Sequence, residues 1–301
     1  MNILVSGAAG FIGSHLCDSL IEAGHKVIGI DNLSSGLREN LNSNISFSKM
    51  DIRDTSILKN IFIHNQIDYV FHLAAQINLR ESIKNPIIDA NINIIGSLNI
   101  INECIKNKVK NFIFISTGGA MYEFTGLPSK ETDLPKPASP YGLNKYYIES
   151  FFLFSSNLYG LNYNIFRLAN VFGVRQNPHG ECGVLSIFLD RINKGLPLKI
   201  FGSGNQTRDF IDVWSTVDAL MLGLNKLEKN NVFNVSSNIQ VSVNDIVNML
   251  QLYFPSLEIE NHPPIIGEML STQLDNSKLL ETNLWQPKYN LEQALRKTIN
   301  L

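Results

Sequence analysis

Short apolar runs alternate with helical patterns through the first half of the chain. The runs predict strands at residues 3–5, 27–30, 45–48, 69–72 and 112–115. Continuous apolar strands of this kind are typical of a parallel sheet that is covered on both faces. Apolar residues recur at helical spacing over residues 11–23, 57–64 and 87–105, which predicts helices there. This β-α alternation indicates an α/β fold built on a doubly wound parallel sheet.

The pattern becomes irregular after the fifth predicted strand. Residues 117–139 contain three prolines and several small polar residues, so they are predicted to form a loop at a strand's carboxyl end, where such folds bind ligands. Helices are predicted over residues 141–158 and 243–252. Residues 173–183 and 202–209 are interpreted as binding loops. The second half is therefore expected to be a smaller domain that is interleaved with the first.

The composition is that of a globular enzyme-sized chain. With 44% hydrophobic and 17% charged residues, the 301-residue chain is long enough for one large domain or two closely joined ones. Its net charge of -2 differs from the basic footprint of a nucleic-acid binder, so no nucleic-acid partner is expected. No apolar run approaches the ~20 residues that span a membrane, and the first residues are interpreted as a buried strand.

The three cysteines favour a reducing compartment. Cys17, Cys104 and Cys182 lack the spacing of metal ligands and cannot all pair. We therefore expect neither a metal site nor a disulfide framework, and we expect a cytoplasmic location.

A glycine-rich turn lies between the first predicted strand and the first predicted helix. In Gly7-Ala-Ala-Gly10-Phe-Ile-Gly13, Gly7 permits a tight turn and Gly10 lets a pyrophosphate approach the backbone. Gly13 lets the helix and the strand pack closely. The helix N-terminus offers N–H groups and partial positive charge to phosphates. This context is that of a dinucleotide-binding turn.

Two acidic residues follow predicted strands. Asp31 can accept hydrogen bonds from both adenosine ribose hydroxyls and would repel a 2′-phosphate, which favours NAD. The alternative is that Asp31 only caps the turn over residues 31–36. Asp51, followed by Ile52, could hold the adenine edge or could be the N-cap of a helix that begins near residue 55.

Tyr141 and Lys145 are four residues apart, so they share one face of the predicted helix. A phenol with pKa near 10 is a poor base, but a nearby ammonium and a cationic nicotinamide would both favour the phenolate. Lowering that pKa to roughly 7 requires about 4 kcal/mol. A surface pair at helical spacing is the alternative, and the glycine turn favours the catalytic interpretation.

Together with further motifs, these residues resemble the extended short-chain dehydrogenase/reductase family, and within it the nucleotide-sugar epimerases. The resemblance runs from Gly7 to about Pro287. It rests on the glycine turn, residues 31–36, Asp51-Ile52, Phe71-His-Leu-Ala-Ala-Gln76, Ser116-Thr-Gly-Gly-Ala-Met-Tyr122, residues 139–145, Arg167-Leu-Ala-Asn-Val-Phe-Gly173, residues 201–210 and Asp275-Asn-Ser-Lys278. It implies a Rossmann domain over residues 1–165, with a segment near 210–240 that returns to it, and a substrate domain over 166–301.

The resemblance also implies residue roles. It assigns NAD binding to Gly7, Gly10, Phe11, Ile12, Gly13, Asp31, Asn32, Ser34, Ser35, Gly36, Asp51, Ile52, Leu73, Ala74, Ala75, Gln76, Asn93, Ser116, Tyr141, Lys145 and Ala169. Tyr141 is the base, and Lys145 lowers its pKa. A UDP-sugar or related substrate is bound by Thr117, Asn170, Gly183, Val184, Phe201, Arg208 and Thr272. A guanidinium fork suits phosphate oxygens, although Arg208 could instead pair with a neighbouring aspartate.

Three positions depart from the family pattern, and one of them is Glu123, which follows Tyr122 where the family usually carries glycine. Gly118 stands where the family usually carries a catalytic Ser or Thr, so the hydroxyl role passes to Thr117, with Ser116 as the alternative. Both hydroxyls could instead only cap the strand end. Ile265 stands where an arginine that binds the diphosphate is usual, within residues 263–268.

The expected function is that of an NAD-dependent 4-epimerase acting on a UDP-hexose or UDP-N-acetylhexosamine through a 4-keto intermediate. A 4,6-dehydratase is disfavoured because Gly118 and Gly119 replace the acidic pair that it needs, and a 4-keto reductase because Asp31 opposes NADPH. A catalytically impaired, NAD-bound sensor is a further alternative. Apolar residues on several faces of helices 87–105 and 146–158 predict a homodimer, which such helices form in the resembling family.

Overall fold

The computed structural model describes residues 1–178, 183–265 and 269–300. These ranges contain the strands β1 (Asn2–Ser6), β2 (Lys26–Asp31), β3 (Ser46–Lys49), β4 (Tyr69–His72), β5 (Asn111–Thr117), β6 (Tyr163–Leu168), β7 (Asn170–Phe172), β8 (Leu198–Phe201), β9 (Thr207–Asp212), β10 (Asn231–Val235), β11 (Gln240–Ser242) and β12 (Ile259–His262). Cys182 and parts of the predicted loop 173–183 and of segment 263–268 lie outside the described residues.

The same ranges contain the helices α1 (Phe11–Glu22), α2 (Thr55–Asn65), α3 (Leu79–Lys84), α4 (Pro86–Ala90), α5 (Ser97–Lys106), α6 (Pro140–Tyr159), α7 (Val184–Asn193), α8 (Val213–Met221), α9 (Val243–Tyr253), α10 (Ser277–Leu280) and α11 (Leu291–Thr298). The predicted helices at 11–23, 57–64, 141–158 and 243–252 correspond to α1, α2, α6 and α9. Over the described ranges, no helix is both long and apolar enough to cross a membrane.

Seven parallel strands form the central sheet, in the order β10-β6-β5-β4-β1-β2-β3. All five strands predicted from apolar runs belong to it, and β6 and β10 extend it. The winding reverses between β1 and β4, which are neighbours although two strands separate them in sequence. Ligands bind outside the carboxyl ends of strands at such a reversal. The predicted fold class is therefore confirmed.

Alternate residues of each strand pack into two hydrophobic cores, one on each face of the sheet. Ile3 and Val5 of β1 pack with α1 and α8, whereas Leu4 packs on the other face with α2, α5 and α6. In β5, Phe112 and Phe114 face the second core in the same way. Because successive side chains of a strand point to opposite faces, a strand buried on both faces reads as a continuous apolar run.

The second half adds two smaller sheets, one with the order β11-β9-β7 and one that pairs β12 with β8. The prediction of a loop over residues 202–209 is wrong at its end, because residues 207–209 belong to β9. In β9, Arg208 lies opposite Val241 of β11, and Phe210 pairs with Asn170 of β7. These pairings are distant in sequence, so the local glycine-rich pattern does not reveal them. The division into an NAD-binding and a substrate domain stays a prediction.

The predicted helix over residues 87–105 contains a change of helical type. It consists of α4, a π-helical stretch over Asn91–Gly96, and α5. Gly96 lies against Ile52, where an added Cβ would be 2.5 Å from the Ile52 Cδ1 atom. π-helical stretches are rare and frequently lie at functional sites, and this one places Asn93 against the loop at the carboxyl end of β4.

A buried histidine joins this π-helical stretch to the sheet. His72, at the end of β4, is 1% exposed. Its Nδ1 lies 2.6 Å from the Ser6 hydroxyl and its Nε2 lies 2.8 Å from the Ser97 hydroxyl. Since Ser97 donates to the Asn93 carbonyl, the neutral ring donates from Nε2 and accepts at Nδ1. Burial lowers the pKa of His72 to about 3, and the Lys145 charge adds to this effect.

We expect His72 to make the fold sensitive to acid. The unfolded state binds its proton below pH ~6.5, whereas the folded state binds it only near pH 3. Stability is therefore complete above pH ~6.5 and falls as the pH decreases, by up to about 1.4 kcal/mol per pH unit. Urea unfolding of His72→Gln should show this slope reduced, while the control His64→Gln, at an exposed position, keeps it. Equal slopes for the two variants would contradict the expectation.

Candidate active site

The glycine turn after β1 is in backbone contact with the loop after β4. Gly7 has φ +75°, and a Cβ there would lie 2.8 Å from the Ala74 nitrogen. A Cβ on Gly13 would lie 2.0 Å from the Gly7 carbonyl oxygen, so neither position admits a side chain. Gly10 is the N-cap of α1, which begins with Phe11 and Ile12. The phosphate-attracting end of a helix thus lies at the carboxyl edge of the sheet.

Asp31 ties the end of β2 to this turn. Its carboxylate accepts hydrogen bonds from the Ala9 nitrogen at 3.0 Å and the Leu33 nitrogen at 2.8 Å. Burial raises the pKa of Asp31, although these two backbone donors oppose the rise. The following residues, Asn32, Ser34, Ser35 and Gly36, return to the turn, since a Cβ on Gly36 would lie 2.8 Å from the Ala9 carbonyl carbon. Asp31 therefore caps its own turn and also contacts the glycine turn.

Asp51 lies just after the carboxyl end of β3. It accepts a hydrogen bond from Asn32 at 3.1 Å, which connects it to the loop after β2. The side-chain hydrogen bond from Arg53 holds the pKa of Asp51 well below its usual range. The N-cap of α2 is Asp54, so the alternative that made Asp51 this cap is wrong. Ile52 is buried beneath the π-helical stretch.

The loop after β4 contains the predicted residues Leu73, Ala74, Ala75 and Gln76, and Asn93 holds it in place. The Asn93 Oδ1 atom accepts from the Gln76 nitrogen at 2.9 Å, and its Nδ2 donates to the Gln76 carbonyl at 2.8 Å. Asn93 thus satisfies both backbone groups of Gln76. The π-helical stretch therefore fixes the loop that lies against Gly7.

Tyr141 and Lys145 lie on the first turns of α6. The helix begins at Pro140, and the Ser139 hydroxyl caps it by accepting from the Gly142 nitrogen at 3.2 Å. Lys145 is 5% exposed, and its Nζ donates to the Ile115 carbonyl of β5 at 2.9 Å. The same Nζ lies 6.0 Å from the centroid of the partly exposed Tyr141 ring. The sheet edge and α6 thus hold the two side chains together.

The ammonium of Lys145 lies in a dry environment. Burial lowers the pKa of Lys145 to about 8, and the carboxylates of Glu149 and Asp89 oppose this decrease. At neutral pH the side chain is therefore still largely charged. A desolvated cation beside a phenol favours the phenolate form, which is the requirement for Tyr141 to act as a base.

The two hydroxyls at the end of β5 have different environments. Ser116 is 4% exposed and donates to Glu149 at 2.5 Å, and Glu149 also forms a buried ion pair with Arg167. Thr117 is partly exposed, and its Oγ1 accepts from the Ala120 nitrogen at 3.2 Å. Thr117 therefore does cap the strand end, while Ser116 is engaged in the buried layer. The irregular segment predicted after residue 117 follows as expected.

The predicted substrate residues come mainly from the second half of the chain. Asn170, in β7 just after Ala169, lies near Gly119, where an added Cβ would be 3.7 Å from the Asn170 Oδ1. Arg208 is in β9, and Thr272 lies beside β9 because its nitrogen donates to the Thr207 carbonyl at 3.3 Å. Phe201 ends β8, whereas Gly183 and Val184 begin α7.

Leu274 occupies the space that a side chain at position 118 would need. A Cβ on Gly118 would lie 2.2 Å from the Leu274 Cδ1, so the leucine already fills that space. Gly118, Leu274 and Thr272 line one pocket together with Tyr122. The Thr272 Oγ1 is buried there and makes no hydrogen bond within the described parts of the chain. The cavity has a volume of about 10 Å³, which is room for about one water molecule that could pair with this hydroxyl.

Sequence reasoning missed several residues that support this site. Leu274 is far from Gly118 in sequence, and no local pattern connects them. The pair of Glu149 and Arg167 likewise joins α6 to β6. Asp89 could have been noticed, because a lone acidic residue in the apolar segment Pro86-Ile-Ile-Asp-Ala shares a helical face with Asn93.

The fold and the site together define a dinucleotide-dependent enzyme of the short-chain type. Residues 3–236 match the NAD dependent epimerase/dehydratase family. The UDP-glucose 4-epimerase of Mycolicibacterium smegmatis is 36% identical over 99% of this chain and 97% of its own length. The Thermotoga maritima UDP-glucose 4-epimerase, solved with UDP-glucose, has 43% identity and a TM-score of 0.96, covering 100% of this chain and 98% of that one. The Thermus thermophilus UDP-glucose 4-epimerase, solved with NAD, has 33% identity and a TM-score of 0.94 over 100% and 98% of the two chains.

The chain belongs to the NAD-dependent epimerase/dehydratase family, and the resemblance inferred from its motifs is confirmed. The residues present fit the dinucleotide of this family. Gly7 and Gly10 leave the N-terminus of α1 open to a phosphate, and the Asp31 carboxylate lies next to that turn through its contact with Ala9.

The packing of Leu274 predicts a difference between two adjacent glycines. Gly118→Ala should destabilise the fold by about 1–3 kcal/mol because the new methyl overlaps Leu274. Gly119→Ala is the matched control, because its nearest atom outside the adjacent residues would be 3.7 Å away. Adding Leu274→Ala to Gly118→Ala should be less harmful than the sum of the two single changes. Urea unfolding measures these effects, and equal losses at positions 118 and 119 would refute the packing argument.

Proposed function

We propose that this enzyme is an NAD-dependent nucleotide-sugar 4-epimerase that acts on a UDP-hexose or UDP-N-acetylhexosamine. The observation that carries the proposal is the pair of Tyr141 and buried Lys145 at the carboxyl edge of the sheet, next to the glycine turn. Similar proteins named as UDP-glucose 4-epimerases support the reaction and the nucleoside class.

The dinucleotide is proposed to lie across the reversal between β1 and β4. The glycine turn would hold its pyrophosphate, Asp31 its adenosine ribose, and Asp51 with Ile52 its adenine edge. When bound there, NAD would supply the hydride-transfer chemistry that inversion at C4 of the sugar requires. We assign binding of the dinucleotide to residues 1–165 together with the segment near 210–240. Binding of the sugar nucleotide is assigned mainly to residues 166–301.

Tyr141 is proposed to move the proton. Its phenolate takes the proton of the sugar 4-hydroxyl and returns a proton to the ketone oxygen in the second half of the reaction. Lys145 favours the phenolate and binds the nicotinamide ribose. Thr117 is the better candidate for the assisting hydroxyl, because the Ser116 hydroxyl already donates to Glu149. Proton transfer by a positioned side chain of this kind contributes about 10²–10⁴-fold.

The substrate is proposed to lie between the end of β5 and the second half of the chain. The guanidinium of Arg208 offers planar donors to the diphosphate, with Asn170, Gly183 and Val184 beside it. Phe201 is proposed to lie beside the nucleobase. Thr272, which lies beside β9 and close to Gly118, is proposed to face the sugar. A threonine there leaves more room for an N-acetyl group than a bulky residue would. Among the described residues, Cys17 and Cys104 are free and buried, which favours a cytoplasmic location for the reaction.

We further propose that the enzyme is a homodimer, built on the outer faces of α4 to α6. Ile87 is 77% exposed, and Phe154 and Leu158 of α6 are 50% and 59% exposed. An apolar surface on adjacent helices is unfavourable in water unless a partner covers it. A second copy of the chain would pair these faces by a twofold axis.

Light scattering at micromolar concentration should therefore give about twice the chain mass of 33.7 kDa. Phe154→Glu should produce monomers because it puts a charge into the proposed interface. Leu252→Glu is the control, since Leu252 is 73% exposed on α9 and lies outside that interface. A monomeric wild type would refute the dimer.

Tyr141→Phe tests the reaction. We expect this variant to keep its NAD and to lose about 10²–10⁴-fold in kcat, because only the proton-transferring oxygen is removed. Tyr147→Phe loses the same atom from the outer face of α6, where Tyr147 is 47% exposed, and should remain active. Product NMR with UDP-glucose and UDP-N-acetylglucosamine measures turnover, and release by denaturation measures bound NAD. Near-normal turnover of Tyr141→Phe would remove Tyr141 from the mechanism.

A further inference from the structure

A buried carboxylate outside the assigned residues connects three parts of the active site. Asp89, in α4, is 1% exposed. Its Oδ1 accepts hydrogen bonds from Gln76 Nε2 at 2.7 Å and Asn93 Nδ2 at 3.0 Å, and its Oδ2 accepts one from Asn144 Nδ2 at 2.6 Å. A carboxylate only accepts hydrogen bonds, so these three amide donors match it. Removing a donor would leave part of a buried charge without compensation.

One branch of this network reaches the backbone of the catalytic tyrosine. Gln76 exchanges two hydrogen bonds with Asn78, accepting from its nitrogen and donating to its carbonyl at 2.9 Å. The Asn78 side chain caps α3. In α3, the Ser82 hydroxyl accepts from the Tyr141 nitrogen at 3.2 Å. The loop after β4 and α3 therefore both support the first turn of α6.

The other branch is direct. Asn144 lies on α6 three residues after Tyr141 and immediately before Lys145. Its hydrogen bond to Asp89 joins the same first turns of α6 to α4. Asp89 is thus connected to α6 by two routes. One runs through Gln76, α3 and Ser82 to the backbone of Tyr141, and the other runs through Asn144 to the helical turn that carries Lys145.

We propose that Asp89 is a positioning residue that fixes the start of α6, and with it Tyr141 and Lys145, against the loop after β4. The proposal rests on the proposed epimerase reaction for its kinetic consequence, while its structural consequence is independent of that reaction. A displacement of about 1 Å in a reacting group can cost about 10²-fold in rate, so a loose α6 would reduce kcat.

The charge of Asp89 has a second effect at the same place. The titratable groups around Lys145 are Tyr141 and Glu149 on its own helix, Asp89 on α4 and His72 on β4. His72 is neutral at working pH, because burial lowers its pKa to about 3. The carboxylates of Asp89 and Glu149 raise the pKa of Lys145 against its burial. Without Asp89 the ammonium should lose its proton at lower pH.

A set of amide and carboxylate exchanges tests the proposal. Asp89→Asn removes the charge and places a new N–H group against the amide of Asn144. Asn144→Ala removes only the α6 branch. The double variant Asp89→Asn with Asn144→Asp restores a donor and an acceptor at every contact, because the new amide donates to the new carboxylate. Asp212→Asn is the matched control, since Asp212 is a 2% exposed carboxylate that caps α8.

Hydrogen–deuterium exchange of the NAD-bound protein gives the structural readout. Peptides over residues 139–146 should exchange at least ~5-fold faster in Asp89→Asn and Asn144→Ala, and near the wild-type rate in the double variant. In UDP-sugar assays, kcat should fall about 10–100-fold with KM within about threefold, and the double variant should recover most of it. The alkaline limb of the kcat profile of Asp89→Asn should move to lower pH.

Two results would overturn the proposal. One is wild-type exchange over residues 139–146 in both single variants. The other is a change in exchange and kcat no larger than that of Asp212→Asn. If Asp89→Asn does not fold, Asn144→Ala alone decides, because it deletes one hydrogen bond at the helix start. Absence of epimerisation by the wild type would refute the proposed function, and the exchange measurement would still decide whether Asp89 fixes α6.

Discussion

The candidate active site depends on one buried hydrogen bond, in which the Lys145 ammonium donates to the Ile115 carbonyl of β5. This contact fixes α6 over the carboxyl edge of the sheet. Burying a cation is costly, and the low pKa of Lys145, about 8, is a measure of that cost. The carboxylates of Glu149 and Asp89 offset it from two sides. The site is therefore built around a charge that the protein interior must compensate.

The two carboxylates also explain how the surrounding elements are held. Glu149 binds Arg167 and Ser116, which join α6 to β6 and to the end of β5. Asp89 binds side chains of the loop after β4, the π-helical stretch and α6. Both are satisfied by hydrogen bonds, as buried charges must be. The same two carboxylates therefore offset the buried charge of Lys145 and hold the surrounding loops in place.

Local patterns predicted much of this structure, and long-range contacts account for the rest. The apolar runs predicted five sheet strands, and the glycine turn and the Tyr141–Lys145 spacing predicted where the site lies. The strand β9 was missed because both of its partners are far from it in sequence, β7 before it and β11 after it. The space taken by Leu274 next to Gly118 and the hydrogen bonds of Asp89 depend on how separate segments meet. Neither the periodicity of apolar residues nor a local motif predicts contacts between segments that are distant in sequence.

The central claim is that a proton-transferring Tyr141, supported by a buried Lys145, serves a reaction with no net oxidation. The most direct test is NMR of purified protein incubated with UDP-glucose or UDP-N-acetylglucosamine without added nucleotide cofactor. The account predicts that the C4 epimer of at least one substrate accumulates to an equilibrium ratio, with many turnovers per bound NAD. No epimer from either substrate, or product limited to one equivalent of bound NAD, would contradict it.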